Sequence, residues 1–361
     1  MRPKERFLKT LRHEKPDRPP AFATVTPQIG AALTKRLGLP PAQPVPSFFS
    51  NRISFTETLL KAGNDAGAVA AGFPDGFSCQ ILPDKSVRDE WGIRSRPFGL
   101  YNEMVGHPLA DIETPADLDL YHFPDPDAPG RFRLAEQTIR QYGNDYATLG
   151  DQECTAFEMA WYLVGLEKFL IDLTRKKAYV FELLDRILDI SIRQGRRLIE
   201  LGADVIWTGD DMGDQHGMML SPALWREVFK PRLHSAFSAY RRVNPDIRIA
   251  YHSCGSILPI IPDLIEIGLD ILNPIQPNAT GMDPAFLKKA YGDRLCFFGG
   301  IDIQELLPRA TPDRVFRSVQ ETIQILGARG GYIAAPAHNI QPDTPLENIL
   351  AFYDAVRSCT R

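Results

Sequence analysis

The tripeptide His252-Ser253-Cys254 places an imidazole and a thiol two residues apart in the segment IRIAYHSCG, 247–255. In extended backbone, residues i and i+2 project to the same side, so both donors would leave one strand end together. A nitrogen and a sulfur in that arrangement suit zinc, which takes three protein ligands at catalytic sites and keeps a further position open. His338, at the end of GYIAAPAHN (331–339), is the candidate third ligand. A plainer reading stands beside this one: His252 as a hydrogen-bonded core histidine and Cys254 as a small buried hydrophobe, because unpaired cysteine is commonly buried.

Other polar residues collect at the ends of similar apolar runs. Asp210 and Asp211 follow ADVIWTG; Asn273 and Gln276 fall in LDILNPIQ; Asp302 and Gln304 follow RLCFFGGI; Asn339 follows His338. Adjacent carboxylates raise one another's pKa and can serve as general acid and base, giving candidate catalytic roles to Asp210 and Asp211. After Gly209, however, an aspartate also favours a turn or a helix cap, and one role for each residue is compatible with the pattern. Asn273, Gln276, Asp302, Gln304 and Asn339 are candidate substrate-binding groups, although single amides more often satisfy loop backbone. Cys296 lies inside an apolar strand and reads as core, while Cys79, Cys154 and Cys359 have no partner at metal-ligand spacing.

Elements of alternating β and α character must position these residues. Short β-branched or aromatic runs, each followed by a segment of helical period, occur at 203–211, 247–255, 269–276, 294–302 and 331–339, and further strand candidates at 145–152, 65–73 and 19–25 bring the set to eight. Ser221 and Thr311 read as N-caps, Gly268 and Gly327 as helix ends, and 176–202 as a long amphipathic outer helix. Eight strands alternating with helices predict a single-domain (β/α)₈ TIM barrel over 1–361, an α/β fold in which strand ends at one face carry the site. A doubly wound sheet is the competitor, but no G-x-G-x-x-G follows the first strand. The Pro- and Asp-rich stretch 81–130, containing the hairpin-like SVRDEWGIRSRP, reads as an insertion between strands two and three that overhangs one barrel mouth.

Composition narrows the function classes. Hydrophobic residues are 44% and charged residues 24% of the 361, a globular balance. Lys plus Arg is 41 against 45 Asp plus Glu, a formal charge of −4, which disfavours nucleic acid as a partner. No run reaches the roughly 20 apolar residues that span a bilayer, and the N-terminus lacks a signal-peptide core, so no membrane is expected. Five scattered cysteines are unlike a secreted disulfide framework and point to a reducing cytoplasm.

In order and spacing, the blocks KERFLKTLRHEKPDRPP, DEWGIRSRP, DDMGDQHGMMLSPALWREVFKPRL, HSCGSI, LNPIQP, FFGGIDIQELLP and AAPAHNIQPDTPLENI resemble the uroporphyrinogen decarboxylase superfamily along nearly the whole chain. That resemblance implies a (β/α)₈ barrel. True uroporphyrinogen decarboxylases grip a many-carboxylate tetrapyrrole with an Arg-Gln-Ala-Gly-Arg-Tyr block after the first strand. Here the region reads TVTPQIGAALTKRLGLPP, without the paired guanidinium groups such a substrate needs. The other branch, corrinoid-dependent methyltransferases such as methylcobamide:thiol methyltransferases, holds zinc with a His-x-Cys pair and a distant cysteine. His252 and Cys254 match the first two ligands; at the third position this chain has His338, the residue type the decarboxylases carry.

The resemblance therefore implies a Zn²⁺ enzyme moving a methyl group between a corrinoid (methylcobalamin) and a thiol or small methylated compound. A corrinoid carrier protein would be its partner, a small molecule its substrate, and a homodimer the default assembly. Two alternatives remain at this level: a decarboxylase-like carboxy-lyase using His338 and an aspartate without metal, and a non-catalytic corrinoid- or tetrapyrrole-binding protein.

Overall fold

The computed structural model describes residues 1–47, 51–98 and 101–359. Two residues of the expected insertion, 99 and 100, lie outside them. Strand β1 (Ala66–Ala70) is followed by four short strands, β2 (Gln80–Ile81), β3 (Val87–Arg88), β4 (Arg94–Phe98) and β5 (Tyr101–Gly106). Then come β6 (Ala147–Glu153), β7 (Val205–Gly209), β8 (Arg248–His252), β9 (Ile271–Ile275), β10 (Cys296–Ile301) and β11 (Tyr332–Pro336). One sheet has the order β1-β6-β7-β8-β9-β10-β11, parallel at every pairing; β2 to β5 form a separate antiparallel sheet.

The strand expected over 19–25 does not form a ladder. It makes isolated parallel bridges, Ala21 with Ala334 and Val25 with Ile340, so its contact with β11 is intermittent. On the β1 side, one backbone bond, from the Asp65 amide to the Ala21 carbonyl at 2.8 Å, is supplemented by side chains. Asn64 Oδ1 accepts from the Ala23 amide at 2.8 Å and its Nδ2 donates to the Ala23 carbonyl at 2.9 Å, while Asp65 Oδ2 accepts from the Ala21 amide at 2.8 Å. Segment 20–25 thus links the two edges of the curled seven-stranded sheet. Prolines at 19 and 20 remove two of the donors a regular strand would need there.

Helices cover the outer face. Ala178–Glu200 lies between β6 and β7, and Pro312–Leu326 between β10 and β11. The run after Ser221 divides into Pro222–Val228 and Lys230–Val243, because Pro231 has no N–H to bond the carbonyl four residues back. Ser221 caps the first of these pieces, its side chain accepting from the Leu224 amide at 3.2 Å. None of the helices among the described residues is long and apolar enough to cross a membrane.

Period-two alternation sorts each strand into two layers. Ile206, Ile249, Tyr251, Leu272 and Phe297 pack outward under the helices, whereas Ala68, Leu149, Trp207, Ala250, Ile271, Phe298 and Ile333 fill the interior. Phe7 and Leu11, from the N-terminal helix Pro3–Leu11, belong to that interior cluster and plug its lower end. The helix is anchored there by Arg6, whose Nη1 donates to Asp65 Oδ1 at 2.6 Å. Small alanines opposite Trp207 and Phe298 make room for the two rings, which meet edge to face with centroids 5.2 Å apart.

Strand β7 ends at Gly209 with φ of +150°, and a Cβ there would stand 2.2 Å from the His252 carbonyl oxygen. A side chain at this point would push β8 away beside the site. Gly209→Ala is expected to lower stability by about 3 kcal/mol or more, read by urea denaturation. Unchanged stability would show that β8 can yield.

Candidate metal centre

The interior register of β8 aims His252 into the sheet's C-terminal mouth, and Cys254 follows two residues on. Gly255, with φ of +78°, then turns the chain in a place where a Cβ would meet the Asp214 carbonyl oxygen at 2.4 Å. The Gly255 amide donates to Gln276 Oε1 at 2.7 Å, which joins this turn to the end of β9. His338 reaches the same mouth two residues beyond β11. One donor atom from each of His252, Cys254 and His338 lies within 4.8 Å of the others. His252 Nε2 and Cys254 Sγ are 3.5 Å apart.

Hydrogen bonding prepares His252 as a ligand. Asn273 Nδ2 donates to the Phe298 carbonyl at 3.2 Å, so its Oδ1 is the atom turned to His252 Nδ1, 2.6 Å away. The imidazole proton then sits on Nδ1 and the lone pair on Nε2 faces the thiol. Burial, with the Arg52 guanidinium second, lowers the His252 pKa to about 3, and burial followed by the neighbouring His252 lowers that of His338 to about 4. Both rings are therefore neutral, the form that binds a metal. Burial and the Asp211 carboxylate push the Cys254 thiol well above its ordinary range. Two imidazoles and one sulfur, drawn together beside carboxylates, fit a borderline-soft divalent ion.

Asn273→Ala would leave the His252 ring unoriented. The expected result is a 10- to 100-fold, order-of-magnitude loss of Zn²⁺ affinity, measured by competition with a chelating dye. An unchanged affinity would mean that Asn273 has no part in orienting the ring.

The remaining residues expected from the sequence take different positions. Asp210 is wholly buried, and its carboxylate accepts from the amides of Ala156 (3.1 Å) and Glu158 (2.9 Å) at the start of the helix Phe157–Val164. It is a cap supplied across the sheet; burial raises its pKa to about 7 in spite of those amides. Asp211 faces the centre. Its Oδ1 accepts from the Cys254 amide at 2.7 Å and lies 3.5 Å from His252 Nε2. Asp302 uses both oxygens on the amides of Gln304, Glu305 and Leu306, at 2.8, 3.1 and 3.1 Å. Gln304 accepts from Gln215 Nε2 at 3.0 Å. Asn339 Oδ1 accepts from the Thr24 hydroxyl, tying segment 20–25 to the last loop. Gln276, Gln304 and Asp302 line a cavity of about 180 Å³ that Cys254 and His338 also border.

Four residues at the centre were not anticipated. Glu153 ends β6 on its interior side, with Oε1 3.3 Å from His252 Nε2. Arg52 pairs with Glu153 and lies 3.7 Å from Asp151, its guanidinium 4.6 Å above the Trp207 ring. Trp207 in turn stacks on His252 with centroids 6.0 Å apart. Glu158 accepts from the Asp211 amide at 3.0 Å and from the Tyr162 hydroxyl at 3.0 Å, and burial beside Asp211 and Asp210 raises its pKa strongly. Extending the interior register of β6 from Ala147 and Leu149 through Asp151 to Glu153 is the signal that could have found Glu153 and, beside it, Asp151.

Comparison with known proteins agrees with the fold and places the chain. Methylated-thiol--coenzyme M methyltransferase of Methanosarcina mazei is 24% identical over 207 residues, covering 56% of this chain and 50% of the relative. Methylcobamide:CoM methyltransferase MtaA of Methanosarcina barkeri is 26% identical over 214 residues, 59% of this chain and 58% of the relative. Uroporphyrinogen decarboxylase of Thermus thermophilus is 27% identical over 177 residues, 48% of this chain and 47% of the relative. The chain thus spans about half the length of the curated relatives it matches. A solved structure, a methyltransferase from Methanosarcina mazei, superposes with a TM-score of 0.68 at 23% identity over 99% of both chains, which shows a shared fold. The sequence model of the Uroporphyrinogen decarboxylase (URO-D) family matches residues 104–359, well over half of the chain, and the protein therefore belongs to the uroporphyrinogen decarboxylase family.

Proposed function

We propose that the protein is a zinc- and corrinoid-dependent methyltransferase, in which His252, Cys254 and His338 hold the ion. The observation that carries this reading is the convergence of those three donors at one strand-end face, with His252 Nε2 left bare by Asn273. Relatives named as methylcobamide:CoM and methylated-thiol--coenzyme M methyltransferases support it. When bound, Zn²⁺ would keep an acceptor thiol deprotonated at neutral pH.

The chain's own residues perform the remaining tasks. The Asn273 carbonyl fixes the His252 tautomer, and the Asp211 carboxylate fixes the backbone of Cys254. Glu153 Oε1 and Asp211 Oδ1, both beside His252 Nε2, are the bases placed to take the thiol proton. The donor would supply the methyl group to the sulfur, its own bond to that group breaking with the electron pair left on the donor. That donor is a methylated corrinoid, presented at the mouth by a separate carrier protein. In the same reading, segment 20–25 is the eighth stave of a (β/α)₈ barrel, and 81–130 is an insertion over its mouth. Arg52 is ion-paired with Glu153, and the Arg131 guanidinium is held by Glu90, so neither is available to grip a many-carboxylate tetrapyrrole.

Anaerobic demethylation of methylcobalamin with a panel of thiols, run beside metal quantification, tests the proposal. Zinc near one per chain together with thiol-dependent demethylation is expected. Absence of both would overturn it.

A further inference from the structure

A second cavity of about 120 Å³ opens between the ends of β1 and β6 and the turn that joins β3 to β4. Asp89, Glu90 and Trp91 of that turn line it, together with Asp151 and Glu153 of β6. Through Glu153 it adjoins His252. Its four carboxylates face two guanidinium groups that are already engaged. Arg131 is bidentate to Glu90 at 2.8 and 2.7 Å and also donates to the carbonyls of Asp125 and Gly72, while Arg52 serves Glu153 and Asp151.

Among the described residues, Asp89 is the one of these four carboxylates with no cation. It is 4% exposed; Oδ1 accepts from the Ile93 amide at 2.9 Å, but Oδ2 is buried with no hydrogen-bond partner among the described residues. The Ser191 hydroxyl, across the same cavity, is likewise buried and unpartnered. Unmet acceptors of this kind are costly in a folded protein and commonly mark a ligand position. Phe73 and Trp91 add aromatic surface to the lining, which favours a cation over an anion. Burial drives the Asp89 carboxyl up to about 7, as expected for an acid whose counter-charge arrives with a ligand. The neighbouring cavity at Cys254 and His338 has no lysine or arginine in its lining either.

We infer that the small-molecule partner of the methyl transfer carries a protonated amine, bound by Asp89 Oδ2 and the Ser191 hydroxyl against Trp91. The inference rests on the methyltransferase reading for its thiol end. An anionic sulfonate would meet carboxylates and find every guanidinium in both cavities already paired.

The test compares thiols matched in length that end in an amine, a hydroxyl or a sulfonate: aminoethanethiol and aminopropanethiol, mercaptoethanol, and mercaptoethanesulfonate. Binding to the full chain, metal-free and zinc-loaded, is read by titration calorimetry. The aminothiols are expected to bind at least about tenfold more tightly than the hydroxyl thiol, as one charge-assisted hydrogen bond implies. Asp89→Asn, which keeps the acceptor for Ile93, should remove that preference. Ser191→Ala, which breaks no hydrogen bond made by that hydroxyl, should weaken the aminothiols about threefold without changing the melting temperature. Equal or tighter binding of the sulfonate, or an amine preference that survives Asp89→Asn, would overturn the inference. Methylcobalamin demethylation absent with every thiol would instead sink the methyltransferase reading, because the amine preference is measured independently by calorimetry.

Discussion

Cys254→Ala is expected to reduce bound zinc from about one per chain to less than about a tenth, because two imidazoles alone make a poor site for a borderline-soft ion. Thiol-dependent demethylation of methylcobalamin should fall by at least about a thousandfold, since the acceptor would lose the group that keeps it deprotonated. Stability is a useful control. Cys254 is partly exposed and its Sγ is a weak partner of His252 at 3.5 Å, so the unfolding free energy of the metal-free chain should change by less than about 1 kcal/mol. Metal quantification by mass spectrometry, with urea denaturation in parallel, separates loss of the ion from loss of the fold. A variant that retained full zinc would remove Cys254 from the ligand set.

Arg52→Ala should give the largest stability loss at the site, about 3–5 kcal/mol, because it removes from the sheet interior the guanidinium that pairs with Glu153 and faces Asp151. Arg52 is 7% exposed and also covers the Trp207 ring, so packing is lost with the charge. Arg52→Lys should recover only part of the loss, as a point charge cannot reach two carboxylates in the way a planar fork does. Urea denaturation of Arg52→Ala, Glu153→Gln and the double variant measures the coupling directly. If the double variant is no more stable than Arg52→Ala alone, the cost does not come from stranding Glu153.

The seven parallel strands and the convergence of His252, Cys254 and His338 were legible because both rest on local pattern. An apolar run ending in His-x-Cys announces its own geometry, and the interior register follows from period two. Asp302, read as a substrate-binding group, spends both oxygens on amides two to four residues later, a short-range turn that its own position could have shown. Asp210 shows where local pattern stops. Its amide partners, Ala156 and Glu158, are more than fifty residues earlier and belong to another βα unit, so only the folded sheet could show that its carboxylate is committed to a cap. Arg52 and Glu153 were missed for a similar reason. Their pairing spans a hundred residues, and neither stands in a motif of its own. The 19–25 segment had a strand's composition, but beside one backbone bond from Asp65 the Asn64 and Asp65 side chains supply most of what a ladder would supply.

That seam also governs when the centre comes into being. The bridges from Ala21 to Ala334 and from Val25 to Ile340 join the first and last parts of the chain, with nearly all the rest between them. During synthesis the ring cannot close until the final strand has emerged, and such long-range closure is entropically slow. His338 follows that strand by two residues, whereas His252 and Cys254 emerge together at the end of β8, three strands earlier. In the proposed reading an ion held by all three therefore binds only the closed ring, acts as a late clasp on the seam, and makes zinc supply a determinant of how much nascent chain matures.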